Sequence, residues 1–122
     1  MSLKIKISAL DRKFSQYIRQ IRGNRCERCK RQGVTLQGHH FYGRRKKSVR
    51  FDPQNALCLC FMPCHRWFHE NPFEAVAWMR NKLGAREFDL LTIRANTPGK
   101  PDYEMIRLFL DKKLKERGAG CI

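Results

Sequence analysis

Two close cysteine pairs constrain this chain more than any other feature: Cys26-Glu-Arg-Cys29 and, some thirty residues on, Cys60-Phe-Met-Pro-Cys64. Tight knuckles at that separation are how a short chain gathers four thiolates around one tetrahedral zinc. The chain needs such a staple, because 122 residues make one domain whose core covers a modest share of its surface. In a secreted chain, six cysteines would suggest disulfides instead. The opening MSLKIKISAL carries Lys4 and Lys6 but no apolar run of a secretory signal, so a cytoplasmic location, and zinc, are expected. Nothing approaches the ~20 apolar residues a bilayer needs, and no membrane partner is expected. Cys58 alternates with Leu57 and Leu59 and reads as a buried strand thiol. Cys121 falls in the C-terminal tail.

Charge narrows the function. Residues 1–50 hold 15 basic and 2 acidic side chains, whereas residues 51–122 hold 11 and 9. A balanced enzyme for a small neutral substrate would not usually concentrate charge this way; a polyanion is the natural partner. Five of the nine residues from Tyr42 to Arg50 are basic and none is acidic.

The apolar periodicity predicts a helix over Ala9–Arg22, capped by Ser8 and stopped at Gly23, with Leu10, Phe14, Ile18 and Ile21 on one face. Val34–Gln37 reads as a short strand leading into Gly38-His39-His40, and Ala56–Cys60 as a second. A helix over Pro63–Glu70 follows. Asn71-Pro72-Phe73-Glu74 begins another, with Asn71 as cap and Phe73, Val76, Ala77 and Leu83 inward, ending at Gly84. Helices over Arg86–Asn96 and Asp102–Arg117 complete the chain. The first of these turns Phe88, Leu91 and Ala95 to one face; the second turns Ile106, Phe109, Leu110 and Leu114.

All four histidines, His39, His40, His65 and His69, fall within 31 residues. His65 and His69 stand i, i+4 and share a helix face, so both can bind one metal. His39 and His40, adjacent at a strand end, point to opposite sides. Asn55 lies 15 residues after His40 and five before Cys60. A doubled His, then Asn, then a His-x3-His helix resembles the HNH (His-Me finger, ββα-metal) nucleases, including the nuclease domains of bacterial colicins. With Cys26-x2-Cys29 and Asn55-x3-Leu59-Cys60-x3-Cys64-His65 threaded through it, the stretch is similar to the zinc-ribbon variety common in phages. Residues His40 to His69 look most like recombination nucleases of the lambda NinG type. The resemblance covers residues 26–70, fades over Asn71–Asn96 and is absent at both ends. Two departures stand out. The second knuckle is Cys-x3-Cys where Cys-x2-Cys is commoner, and NinG-like chains often lack the first His, so a role for His39 rests on the colicin-like pattern.

The resemblance implies an α+β fold: a small ββα-metal core with a structural zinc ribbon, surrounded by helices. Residues 1–122 would form a single nuclease domain, with the core at 26–70 and flanking helices at 1–25 and 71–122. It implies a phage-type enzyme, working in a bacterial host, that hydrolyses DNA phosphodiesters to 5′-phosphate and 3′-hydroxyl ends. His40 would be the general base and Asn55 would orient its loop. His39, His65 and His69 would hold a catalytic divalent cation (Mg²⁺, Mn²⁺, Ni²⁺ or Zn²⁺), and Cys26, Cys29, Cys60 and Cys64 the structural zinc. Arg44, Arg45, Lys46, Lys47 and Arg50 would contact DNA phosphates. Two other classes share the basic charge: a catalytically degenerate zinc-ribbon DNA-binding adaptor, and a structural protein of a ribonucleoprotein. The intact His40–Asn55–His65 set favours the enzyme over the adaptor, and a ribonucleoprotein role leaves the clustered histidines unexplained.

Overall fold

The computed structural model describes residues 6–119, so Lys4 and Cys121 lie outside the described residues. The fold is mixed α+β and mostly helical. In chain order it has helix α1 (Ile7–Ile21), strands β1 (Leu36–His40) and β2 (Ala56–Cys60), and helices α2 (Arg66–Glu70), α3 (Pro72–Leu83), α4 (Ala85–Asn96) and α5 (Tyr103–Ala119). β1 and β2 pair antiparallel, with Gly38 opposite Cys58 and His39 opposite Leu57.

β2 is buried at every position, which explains its unbroken apolar run Ala-Leu-Cys-Leu-Cys. Ala56 and Cys58 face a core made with Leu10, Phe14 and Ile18 of α1, Phe51, and Leu110 of α5. Leu57 and Leu59 face a second core with Phe68 of α2, Ala75 and Met79 of α3, Phe88 of α4 and three of the knuckle cysteines. Cys58 is a buried thiol, pushed up to about 11 first by burial and then by the Glu27 carboxylate. The outer edge of β2 is closed by the first knuckle. Glu27 N–H donates to the Cys58 carbonyl at 2.8 Å, and Cys58 N–H donates to the Glu27 carboxylate at 2.7 Å. Glu27 also meets Lys82 of α3 at 2.6 Å. Among the described residues no helix is long and apolar enough to cross a membrane.

Several sequence expectations shift. α1 begins at Ile7, before Ser8, and no side chain caps it. The first strand lies later than Val34–Gln37 and takes in both His39 and His40. Asn71 precedes α3 but does not cap it with its side chain; its Nδ2 donates to the Trp67 carbonyl at 3.0 Å and closes α2. The inward face of α3 is Ala75 and Met79, with Leu83 half-buried, while Phe73, Val76 and Ala77 are exposed. Apolar residues surround α3, so two helical stripes compete. The crowded side of Phe68 and Trp78 takes the small Ala75 and the adaptable Met79. On α5, Leu110 is buried as expected, but Phe109 is 44% exposed and meets Tyr17 edge-on.

The closest approach of helix to sheet is at Gly38. Its N–H donates to Ser15 Oγ at 3.1 Å, and a Cβ there would lie 2.8 Å from the Ser15 Cα. That neighbour is backbone and cannot swing aside. Gly38→Ala is therefore expected to destabilise the fold by about 1–3 kcal/mol, the usual range for overpacking. Chemical denaturation of the two proteins measures it; equal midpoints would mean that α1 slides freely over β1.

Candidate functional site

The knuckles meet as their spacing suggests. The sulfurs of Cys26, Cys29, Cys60 and Cys64 all lie within 4.8 Å of one another, and Cys29 Sγ stands 3.8 Å from Cys60 Sγ. A metal–sulfur distance of ~2.3 Å gives a tetrahedral edge of about 3.8 Å, whereas a disulfide would need ~2.05 Å. The five described cysteines are free thiols. These four could hold a structural metal ion such as zinc. The additional residue of the second knuckle is absorbed at Met62, which is extended (φ −136°, ψ 132°) within the turn Phe61–His65. Burial pushes Cys64 up to about 12 and raises Cys60. Burial also opposes ionisation of Cys26, yet backbone N–H groups of Cys29, Cys60 and Arg28 draw it down to about 6. Buried thiols that resist ionising together are deprotonated by a coordinating cation. Arg28 lies 3.9 Å over the Trp67 ring and donates to Cys64 Sγ at 3.4 Å, bringing positive charge to the cluster.

Cys64 is followed directly by His65, so the turn that delivers the last thiol also starts the histidine helix. There a second group forms. The ring nitrogens of His39, His65 and His69 lie within 4.8 Å of one another, with His39 Nδ1 3.2 Å from His65 Nδ1. A tetrahedral edge for ~2.0–2.1 Å metal–nitrogen bonds is about 3.3 Å, so one cation fits here too. Burial, then the neighbouring His65 and His69, push His39 down to about 3; His65 is lowered by burial and by His69. Neutral imidazoles keep the lone pairs that a metal needs.

His40, next along β1, turns to the opposite face and meets Phe14 with the rings tilted 30° and centroids 5.7 Å apart. Its Nε2 is 2.7 Å from the Arg50 carbonyl. A carbonyl only accepts, so Nε2 carries the hydrogen and neutral His40 keeps its lone pair on Nδ1. Burial lowers the His40 pKa, partly offset by the Arg50 carbonyl and by Asp11.

Asn55, fully buried, holds the loop that carries that carbonyl. Its Nδ2 donates to the Tyr42 carbonyl at 2.9 Å and the Val49 carbonyl at 3.1 Å, and its Oδ1 accepts from Tyr42 N–H at 2.7 Å. One side chain thus ties together both ends of the basic loop. α4 holds the loop from outside: Tyr42 Oη meets Thr92 Oγ1 at 2.6 Å, and Ser48 donates to the Arg94 carbonyl at 2.6 Å.

A cleft of about 660 Å³ runs along this region, lined by His39, His40, His65 and His69 and walled by Ser15 and Arg19 of α1 and by Arg44. The basic loop residues divide. Arg44 is 63% exposed, whereas Arg50 is 17% exposed and bonded by two nitrogens to Asp11, at 3.1 and 2.5 Å. Arg50 is a brace for the loop in this geometry, its pKa raised by the Asp11 hydrogen bonds. Arg45 and Lys47 are exposed, and Lys46, also exposed, reaches Asn96 Oδ1 at 2.9 Å. Arg19 and Ser15 were not among the sequence candidates. The signal for them was Gly38, whose missing side chain lets α1 lie against the strand that bears the histidines.

Thorough chelation, and likewise Cys29→Ser or Cys60→Ser, is expected to unfold or aggregate the protein, because the buried thiols lose their common partner. Because Cys64 and His65 are adjacent, metal binding by the histidines should be lost with it. Cys58→Ser should keep one structural metal ion per chain and cost about 1–3 kcal/mol, the range for burying a poorly satisfied polar group. Metal content measured beside circular dichroism decides. A protein that remains folded and metal-free after chelation refutes the structural metal.

No family model matches this chain, and neither curated proteins nor solved structures give a match, so the functional reading rests on the geometry and chemistry of the cleft.

Proposed function

We propose that this protein is a metal-dependent endonuclease of the HNH (His-Me finger, ββα-metal) kind, hydrolysing DNA to 5′-phosphate and 3′-hydroxyl ends in phage recombination or DNA processing. One observation carries the reading: a three-imidazole group with metal-ligand spacing and a fourth imidazole, fixed in one tautomer, open into the same basic cleft.

Hydrolysis of a phosphodiester needs an activated water, neutralisation of phosphate charge and assistance to the departing 3′ oxygen. His40 takes the proton of the attacking water at Nδ1, while Nε2–H stays on the Arg50 carbonyl and fixes the ring plane. Asn55 neither gives nor takes a proton; it holds the loop that presents this carbonyl. His39, His65 and His69 would hold the divalent cation, which when bound supplies positive charge to the phosphate and the leaving oxygen. Zinc at Cys26, Cys29, Cys60 and Cys64 would be structural. Arg44, which lines the cleft, and the neighbouring Arg45, Lys46 and Lys47 approach the phosphate backbone, with Arg19 also lining the cleft.

His40→Ala should lower cleavage by about 10²–10⁴-fold, the usual contribution of general-base catalysis, with metal binding and DNA affinity nearly unchanged. His65→Ala and His69→Ala should lose metal and activity together, since each removes a ligand. Calorimetric metal titration beside a cleavage assay separates these roles. A His40 variant that cuts normally overturns the assignment, and a wild type that cuts with no divalent cation leaves the DNA-binding adaptor as the better reading.

DNA affinity should fall with salt at a log–log slope of roughly −0.9 for each phosphate neutralised. Changing Arg44, Arg45, Lys46 and Lys47 together to Ala should flatten that slope and weaken binding to all sequences alike. Unchanged salt dependence would remove the loop from the contact surface.

A further inference from the structure

Beyond the histidines the cleft changes character. A second cavity of about 320 Å³ shares His39, His40 and His69 with the first but is otherwise largely apolar, lined by Phe41, Phe68, Pro72 and Val76 among others. Its volume is at the low end for small-molecule sites, with room for a single flat aromatic group. Val76 is 43% exposed, and Phe73, which shares a helix face with it at i, i+3, is 87% exposed. An apolar face left open beside the histidines is a feature that the folding of α3 does not require. Met79 and Ala75 already provide its buried stripe.

We infer that this cavity receives one unstacked nucleobase next to the phosphate held at the histidines, so that the substrate is DNA with unpaired nucleotides at the cleavage position. The inference rests on the nuclease reading and names its substrate class. In a paired duplex each base offers only its edges to a protein, because its faces are covered by its neighbours. An apolar, aromatic-lined cavity recognises a face, and a face is available only once the base leaves the stack. Continuity fixes which base is meant. The cavity and the basic cleft meet at His39, His40 and His69, so a strand whose phosphate lies there has one neighbouring nucleotide on the basic side and the other at the cavity. Phe73 does not line the cavity but follows Pro72 and shares a helix face with Val76, so it extends the apolar surface on which that base would stack.

The test compares binding and cutting of a duplex with the same duplex carrying a short unpaired stretch, using wild type, Val76→Trp and Phe73→Ala. Both positions are exposed, so the fold should survive, and circular dichroism with metal content checks it. Anisotropy with Ca²⁺ reads binding alone; cleavage with Mg²⁺ or Mn²⁺ reads the reaction. Wild type should bind the unpaired substrate about tenfold more tightly than the duplex, within the range one stacked base contributes. Val76→Trp should abolish that preference by filling the cavity, and Phe73→Ala should reduce it, with duplex affinity unchanged in both. Equal affinity of wild type for the two DNAs overturns the inference, as does a folded Val76→Trp that retains the preference. If the preference is present and Val76→Trp abolishes it, but no cation supports cutting, the base pocket stands and the hydrolytic reading fails.

Discussion

A two-stranded sheet with strands of five residues has too few hydrogen bonds and too little buried face to hold together alone, and here it positions two of the four histidines. What holds it is the convergence of four thiols at one end. Cys60 ends β2, Cys64 lies in the following turn, and Cys26 and Cys29 come from the segment that closes the outer edge of the strand. A cation at these sulfurs would fix the end of β2 and the start of α2 at once. His65 and His69 would then face His39 across a gap set by the sheet register. The fully buried β2 contributes the rest, with one face against α1 and α5 and the other against α2 and α3.

The fourth histidine depends on a different interaction. His40 is oriented by a carbonyl, and that carbonyl belongs to a loop crowded with like charges that would repel one another. The loop is held mainly by neutral bonds, with a single counter-charge. Asn55 closes its two ends, and the Tyr42–Thr92 and Ser48–Arg94 contacts fasten it to α4. The one carboxylate that meets it among the described residues is Asp11 of α1, which binds Arg50, closest to His40, and lies 3.5 Å from Arg44. A carboxylate in the middle of the loop would hold it as well but would cancel the positive field that a polyanion meets there.

Much of this was legible in the sequence because its signals are spacings. The thiol group, the His65–His69 face and the opposed directions of His39 and His40 follow from knuckle, helix and strand geometry, and the structure brings those residues together. Asn55 is where its spacing suggested, although which carbonyls it bonds could not be read from one residue. The failures arise where periodicity is degenerate. On α3, Phe73–Val76 and Ala75–Met79 are equally good helical stripes, and only the crowding around Phe68 and Trp78 selects the second. Ser8 and Asn71 have the chemistry of caps, yet α1 starts before Ser8, and the Asn71 side chain bonds backward to Trp67. Arg19 lies off the apolar face of α1, and its place in the cleft could not be read locally because it depends on the contact between Ser15 and Gly38. That contact links residues far apart in the chain.

The distribution of acidic residues accounts for the strength of the cleft's field better than the count of basic ones. The first fifty residues contain just two carboxylates, Asp11 and Glu27, against fifteen basic side chains. Both carboxylates are nearly buried and serve structural contacts: Asp11 with Arg50 and, at 3.5 Å, Arg44; Glu27 with the β2 backbone, Lys82 and Arg22. In the second half, ion pairs such as Arg66–Glu70 and Arg80–Asp89 lie exposed, where each contributes little to stability but leaves its surface near neutral. The fold therefore uses its few amino-terminal carboxylates to hold structure: Asp11 meets Arg50 and Arg44, and Lys13 finds its partner in Asp111 of α5, while Arg19, Arg45, Lys46 and Lys47 have no carboxylate partner among the described residues. A phosphate chain entering the cleft would meet that charge beside the nitrogen ligands of the histidines, and that arrangement would bring a divalent cation and a polyanion to one place.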